Sequence, residues 1–370
     1  MKRLQNLSPF IVMDIVREAL KYKDAVHFEV GQPDLSPSPK VIEALKRAIE
    51  DERFSYTESL GLGDLREEIA SHYKKVYNVS VKKENILLTP GTSGAFLVAY
   101  ALALDYGEEL GFCDPGYPCY KNFSYILDIK PKFIKVFKDS DFCITPEHLE
   151  NKKIKALLIS NPANPTGNVY KRELLKELVE YSLKRGIFFI SDELYHGLVY
   201  EGEVASALEF SDEVFVINGF SKYFCMPGFR IGWIIVPSRF AKRAEEIAQN
   251  LFISAPTLSQ YAAIKAFDYE YLSEVREIFK KRRDYLYGEL KEIFDIPVLP
   301  SGAFYIWADV SKYSEDSRKF SKELLENLHV AVTPGMDFGS NDTHKFIRFA
   351  YTTDIEKMRE GVERIKNYLK

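Results

Sequence analysis

Four short stretches of this chain are apolar at every position: Ile86-Leu87-Leu88, Ala156-Leu157-Leu158-Ile159, Ile187-Phe188-Phe189-Ile190 and Val214-Phe215-Val216-Ile217. A strand with one wet face alternates apolar and polar residues, whereas a strand covered on both faces does not. The four runs therefore predict a largely parallel sheet buried between helices. Parallel strands need crossover segments, and the helical stretch Lys171 to Lys184 supplies one. Leu65, Ile69, Tyr73 and Val76 stand at helical spacing within Leu62 to Tyr77. Ser8-Pro9 and Ser38-Pro39 each read as an N-cap followed by proline at the first helical position, the first opening a helix through about Lys23. Phe240 to Ile293 reads as mostly helix, broken near Ala255-Pro256. The last hundred or so residues mix helices with the strand-like Ala303 to Trp307 and Phe346 to Ala350.

A chain of 370 residues is long for one small domain. The expected class is α/β: a large domain over residues 46–268, with a mostly parallel sheet flanked by helices, and a smaller α+β domain built from both chain ends, 1–45 and 269–370. The charges nearly balance, at 50 basic against 54 acidic side chains, and no basic cluster stands out, so no nucleic-acid partner is expected. Cys113, Cys119, Cys143 and Cys225 form no C-x-x-C pair and lie near no histidine at ligand spacing, so no metal is expected and the thiols read as reduced. No apolar run approaches the roughly 20 residues that span a bilayer, and no signal peptide is apparent in Met1 to Phe10. The expected location is the cytoplasm, without a membrane partner.

The informative residues follow the apolar runs, because ligands of open α/β sheets bind beyond the carboxyl ends of the strands. After Leu88 comes Thr89-Pro90-Gly91-Thr92-Ser93-Gly94-Ala95 and then a helix. Free N–H groups and hydroxyls at a helix start suit a phosphate, although a plain capped turn accounts for the same residues. After Ile159 comes Ser160-Asn161-Pro162-Ala163-Asn164-Pro165-Thr166-Gly167, where two Asn-Pro steps make a rigid turn able to aim an amide. After Ile190 comes Ser191-Asp192-Glu193-Leu194-Tyr195. A carboxylate ending an apolar strand needs a partner, either a ligand cation or an ion pair within the fold. After Ile217 comes Asn218-Gly219-Phe220-Ser221-Lys222-Tyr223, continuing through Met226-Pro227-Gly228-Phe229-Arg230-Ile231-Gly232. Among these apolar neighbours, desolvation would lower the Lys222 pKa toward a nucleophilic amine.

One lysine, one aspartate, one arginine and a phosphate loop at strand ends match the needs of pyridoxal 5'-phosphate. Its aldehyde takes an amine, its ring nitrogen a carboxylate, and its phosphate backbone donors and a cation. The Ser221-Lys222 to Gly232 segment resembles the cofactor-lysine signature of the class I/II aminotransferases, aspartate-aminotransferase-like proteins with the type I fold of pyridoxal-phosphate enzymes. Gly31-Gln32-Pro33-Asp34, the stretch from Tyr56 through Gly61 to Leu65-Arg66, Asn161 to Gly167, and Asp192 to Tyr195 resemble the same family in order. Arg348, in Phe346-Ile347-Arg348-Phe349, is a late match.

The resemblance implies an enzyme that moves an amino group between an amino acid and a 2-oxo acid. Lys222 would hold the cofactor as a Schiff base, the internal aldimine, and shuttle the substrate's α-proton. Asp192 would pair with the pyridinium, and Tyr195 and Asn164 would bond its phenolic oxygen. Gly91, Thr92, Ser93, Ser221 and Arg230 would form the phosphate site, and Tyr117 would stack on the ring. Arg348 would grip the substrate α-carboxylate, with Asn164 beside it, and Gly31 would let the backbone come close. Tyr56 would reach the phosphate of a neighbouring subunit, implying a homodimer with shared sites. Tyr117 as plain packing and Arg348 as an ion-pair member remain alternatives. So do a carbon–sulfur β-lyase using the same cofactor and a non-catalytic binding protein on the same fold. No G-x-S-x-G is present, no G-x-G-x-x-G opens a helix, and Ser71-His72-Tyr73-Lys74 lacks the companions of an S-x-x-K site.

Overall fold

A computed structural model describes residues 3–370; Met1 and Lys2, the first positions of the expected smaller domain and of the N-terminal reading, lie outside the described residues. The strands in chain order are β1 (Val26–His27), β2 (Ile86–Thr89), β3 (Glu109–Asp114), β4 (Lys130–Lys135), β5 (Ala156–Ser160), β6 (Phe188–Asp192), β7 (Phe215–Gly219), β8 (Gly232–Ile235), β9 (Tyr305–Asp309), β10 (Val330–Ala331), β11 (Thr333–Pro334) and β12 (Phe346–Ala350).

Seven of them form the central sheet, in the order β2-β8-β7-β6-β5-β3-β4. From β7 across to β4 every pair is parallel. β8 runs antiparallel to both β7 and β2. All residues of β2, β7 and β8 are buried, as continuous apolar strands covered on two faces must be. Three of the seven strands do not show as apolar runs in the sequence. The edge strand β4, Lys-Pro-Lys-Phe-Ile-Lys, carries three lysines on a rim where charge discourages pairing with another chain. β3 begins and ends on carboxylates, and the short β8 lies inside the lysine signature.

The helix starts show where local sequence suffices. Ser38 caps the helix Pro39–Glu50, its hydroxyl accepting from Lys40 N at 3.3 Å. Ser8 does not cap the first helix, which runs Ile11–Ala19 and stops short of Lys23. Its leading N–H groups donate instead to the carboxylate of Asp337, at 3.2 Å from Ile11 N and 3.4 Å from Val12 N. A full negative charge at a helix N-terminus is favoured by the macrodipole, and it comes from more than three hundred residues away.

A second, antiparallel sheet has the order β11-β12-β9, and the short β1 pairs in parallel with β10, Val26 opposite Val330. Asp34 meets Arg282 of the helix Tyr269–Leu290 through two bonds of 2.6 and 2.8 Å. The N-terminal segment is thus tied to the C-terminal one. Because Ile217 is fully buried at the centre of the large sheet, Ile217→Ala should lower the unfolding free energy by about 3 kcal/mol. Denaturant titration with an unchanged slope would show it; a loss below about 1 kcal/mol would contradict the two-sided burial.

Candidate active site

Parallel strands bring their carboxyl ends to one rim, and there the separate loops meet. Asp192 is the last residue of β6 and stands opposite Ser160, the last of β5. Lys222 follows the end of β7 by three residues. The helix Gly91–Ala103 starts directly after β2 and presents Thr92 and Ser93 in its first turn. A cavity of about 250 Å³ opens at this rim. Of the residues singled out from sequence, Gly31, Thr92, Ser93, Tyr117, Asn164, Asp192, Tyr195, Ser221, Lys222, Arg230 and Arg348 all face it. Gly91 adjoins it, against Arg230. Tyr56 does not enter it and is 76% exposed on the surface.

The Lys222 amine donates to Gly31 O at 2.6 Å. Loss of hydration, reinforced by the positive charges of Arg348 and Arg230, lowers its pKa to about 8, while Asp192 pulls weakly the other way. Asp192 is buried, and desolvation pushes its carboxyl up to about 6. The Tyr120 hydroxyl donates to its Oδ2 at 2.5 Å and Leu194 N to its Oδ1 at 3.2 Å. Both donors favour the carboxylate, yet desolvation outweighs them. Burial also holds the Tyr195 hydroxyl well above the usual phenol range, so it is a neutral hydrogen-bonding group.

Arg348 sits with its guanidinium between two rings, 4.3 Å from the Tyr305 centroid and 4.7 Å from that of Phe338. It donates to Asn164 Oδ1 at 2.9 Å and to Glu29 O at 2.7 Å. Its Nε is buried and has no protein acceptor. The bond to Asn164 occupies that amide's oxygen and leaves its NH2 group to donate. Gly31 must be glycine here, because a Cβ would lie 2.1 Å from Tyr305 Oη. Gly91 has φ +66°, and a Cβ on it would lie 2.4 Å from an Arg230 guanidinium nitrogen. Only glycine lets that cation rest against the helix start.

Sequence reading missed Tyr120 and Tyr305. Tyr120 lies one turn beyond Tyr117, and helical spacing was the available hint. Tyr305 bonds Tyr195 across 2.7 Å between hydroxyls and faces Arg348. That placement depends on the register of β12 against β9, which sets Arg348 opposite Trp307, diagonal to Tyr305. A larger cleft, about 650 Å³, opens on the other side of the Leu194–Gly197 turn. Its lining includes His72 and His196, both kept neutral by burial at about 4 and about 3, together with Lys75, Glu203 and Glu209, but neither Lys222 nor Asp192.

A family model for aminotransferase class I and II matches residues 23–365. The chain belongs to the class I and II aminotransferases. It is 40% identical to a (5-formylfuran-3-yl)methyl phosphate transaminase of Methanocaldococcus jannaschii, with 100% of this chain and 99% of that protein aligned. It is 33% identical to an aspartate aminotransferase of Sulfurisphaera tokodaii, over 98% and 94% of the two chains. The crystal structure of an aminotransferase from Mycobacterium tuberculosis superposes with a TM-score of 0.95 at 32% identity, covering 99% of this chain and 97% of that one. The protein is therefore an aminotransferase with the type I fold, and an enzyme that moves an amino group between an amino acid and a 2-oxo acid. Among the described residues, no helix is long and apolar enough to cross a membrane.

The raised carboxyl of this aminotransferase has a measurable consequence. Asp192 titrates near 6 when folded and near 3.8 when unfolded. Between those values the folded chain keeps a proton that the unfolded chain has lost, so stability falls as pH rises through this window. Above pH 6 the buried charge costs up to about 3 kcal/mol. Asp192→Asn should stabilise the cofactor-free protein at pH 7, and the gain should shrink below pH 4. Thermal melts across this range check it; a gain independent of pH would reject it.

Proposed function

We propose that this aminotransferase holds pyridoxal 5'-phosphate through Lys222. The observation that supports this best is a lysine amine lowered to about 8 and a buried carboxyl raised to about 6 on the walls of one cavity. The donor set fits the cofactor. The first-turn N–H groups of the helix Gly91–Ala103 have no partner within the helix. Together with Thr92, Ser93, Ser221 and Arg230 they form a cradle suited to a phosphate, into which a Cβ at Gly91 would intrude. Asp192 suits the protonated ring nitrogen, Tyr117 a stacking face, and Tyr195 and Asn164 the phenolic oxygen.

When bound, the cofactor supplies an electron sink for the charge left at the substrate α-carbon. The protein's own groups do the rest. Arg348, pinned between two rings, offers its guanidinium to the α-carboxylate, and its unpartnered Nε is a donor that an acid would satisfy. Gly31 and Asn164 flank that position. Lys222 carries the cofactor and, once released, moves the α-proton. With a pKa near 8, about a tenth of its amine is neutral at pH 7. Tyr120 positions the Asp192 carboxylate.

The domain division at residues 46–268 against 1–45 and 269–370 belongs to this reading, supported by the pairing of β1 with β10. So does a homodimer in which Tyr56 serves the neighbouring site. Phe54 and Tyr56 expose 63% and 76% of their surface on one loop, an apolar surface that suits a subunit contact. A cytoplasmic location is supported by four free cysteines.

Lys222→Ala should abolish the borohydride-reducible adduct seen by mass spectrometry and lower turnover by about 10²–10⁴-fold. Retained adduct and turnover would refute the assignment. Tyr56→Phe should speed cofactor loss from the dimer, measured by dialysis and absorbance, and an unchanged release rate would remove Tyr56 from the site.

A further inference from the structure

Tyr305 opens β9 and stands between two groups with separate proposed tasks. Its hydroxyl meets the Tyr195 hydroxyl at 2.7 Å, and its ring carries the Arg348 guanidinium 4.3 Å from the centroid. Gly31 bounds the same hydroxyl on another side, where a Cβ would come within 2.1 Å of it. Tyr195, Tyr305 and Arg348 are 4%, 1% and 3% exposed, which leaves no surface for a neighbouring subunit to take. The contacts are complete within one chain.

Proton bookkeeping gives the pair a direction. A phenol has one proton to donate and lone pairs with which to accept. Burial keeps both phenols protonated in the neutral range. Between two protonated phenols in contact, one donates and the other accepts. Tyr195 has a second use for its proton, the phenolic oxygen of the cofactor. If the Tyr195 proton goes there, the bond between the two tyrosines requires the Tyr305 proton. Arg348 favours this direction, because a cation on the face of a phenol ring makes the hydroxyl a stronger acid. Desolvation raises both hydroxyls. Arg348 and then Tyr195 lower that of Tyr305, whereas Tyr305 is the largest further influence on Tyr195 and raises it. Tyr305 is thus the better donor of the two. Donation into Tyr195 strengthens, in turn, what Tyr195 donates onward.

We propose that Tyr305 is a positioning residue, whose hydroxyl donates to Tyr195 and so commits the Tyr195 proton to the phenolic oxygen of the cofactor. The proposal rests on the assignment of pyridoxal phosphate to Lys222 and of Tyr195 to that oxygen. A donor to the oxygen stabilises negative charge there and draws it away from the nitrogen that joins the cofactor to Lys222. With a weaker donor, that nitrogen keeps its proton to a higher pH.

Spectral pH titration of the holoprotein tests this without turnover. Tyr195→Phe should move the midpoint of the cofactor's visible band up by about one pH unit, the loss of one hydrogen bond to a charged group. Tyr305→Phe keeps the ring under Arg348 and removes only the hydroxyl. It should move the midpoint up by about 0.3 unit, the share that donation into Tyr195 adds. In the Tyr195→Phe background the same change should move it no further, because the path runs through Tyr195. Fluorotyrosine at position 305, a stronger acid of nearly the same shape, should move the midpoint down. Acetate affinity of Tyr305→Phe should stay within about twofold of wild type, since the ring under Arg348 remains. Thermal melts establish that each variant folds. An unchanged midpoint in Tyr305→Phe, or an equal shift with and without the Tyr195 hydroxyl, would overturn the proposal. So would a loss of acetate affinity alongside the midpoint, the mark of loosened packing. Failure of the underlying reading looks different and takes the proposal with it: the wild type shows no pH-dependent visible band, or Tyr195→Phe leaves its midpoint in place.

Discussion

The functional end of this aminotransferase depends on one constraint, the common direction of β3, β5, β6 and β7. Helices cover both faces of the sheet, so loops with polar groups can gather only at its rims. Parallel pairing then places the carboxyl ends of all four strands at the same rim. Asp192 ends β6, while Tyr117, Asn164 and Lys222 follow β3, β5 and β7, and the four meet without any being near another in sequence. The antiparallel β8 completes the arrangement, because the chain that has passed Lys222 turns back along β7. Arg230 stands just before that return and faces the start of the helix after β2.

Two ionisable groups at the rim are each pushed toward neutrality by the same dry surroundings. Lys222 falls and Asp192 rises. The opposed shifts mark a site that tolerates poor solvation, and the apolar sheet beneath offsets that cost. Two tyrosines add control. Tyr120 fixes the Asp192 carboxylate, and Tyr305 ties Tyr195 to Arg348, linking the large sheet to the antiparallel one. A positioned cation between two rings is worth more than an exposed one, because its orientation is set before a ligand arrives.

Most of the site was legible because the residue types are unusual for their places. A lysine among aromatics and an aspartate ending an apolar strand both call for a chemical reason. In the central sheet the four strands read correctly were those announced by uncharged apolar runs. Ala303 to Trp307 and Phe346 to Ala350, the latter with Arg348 in it, were also read correctly as strands and belong to the second sheet. β4 was not, since its lysines serve a sheet edge and mask the strand. The first helix was misread at Ser8, where a distant carboxylate replaced the local cap. Tyr120 and Tyr305 escaped because tyrosine is common and ordinary packing explains it.

The sequence by itself determined the two-sided burial of the central strands through local composition, and its ordered motifs carried the resemblance that named the family and pointed to Lys222, Asp192, Arg230 and Arg348. Neither depends on what lies opposite in the folded chain. Tertiary structure alone decided which side chains touch: Tyr120 on Asp192, Tyr305 between Tyr195 and Arg348, and Asp337 on the first helix. Each joins segments far apart in the chain. Strand register and helix docking set those contacts, and both are properties of the packed whole.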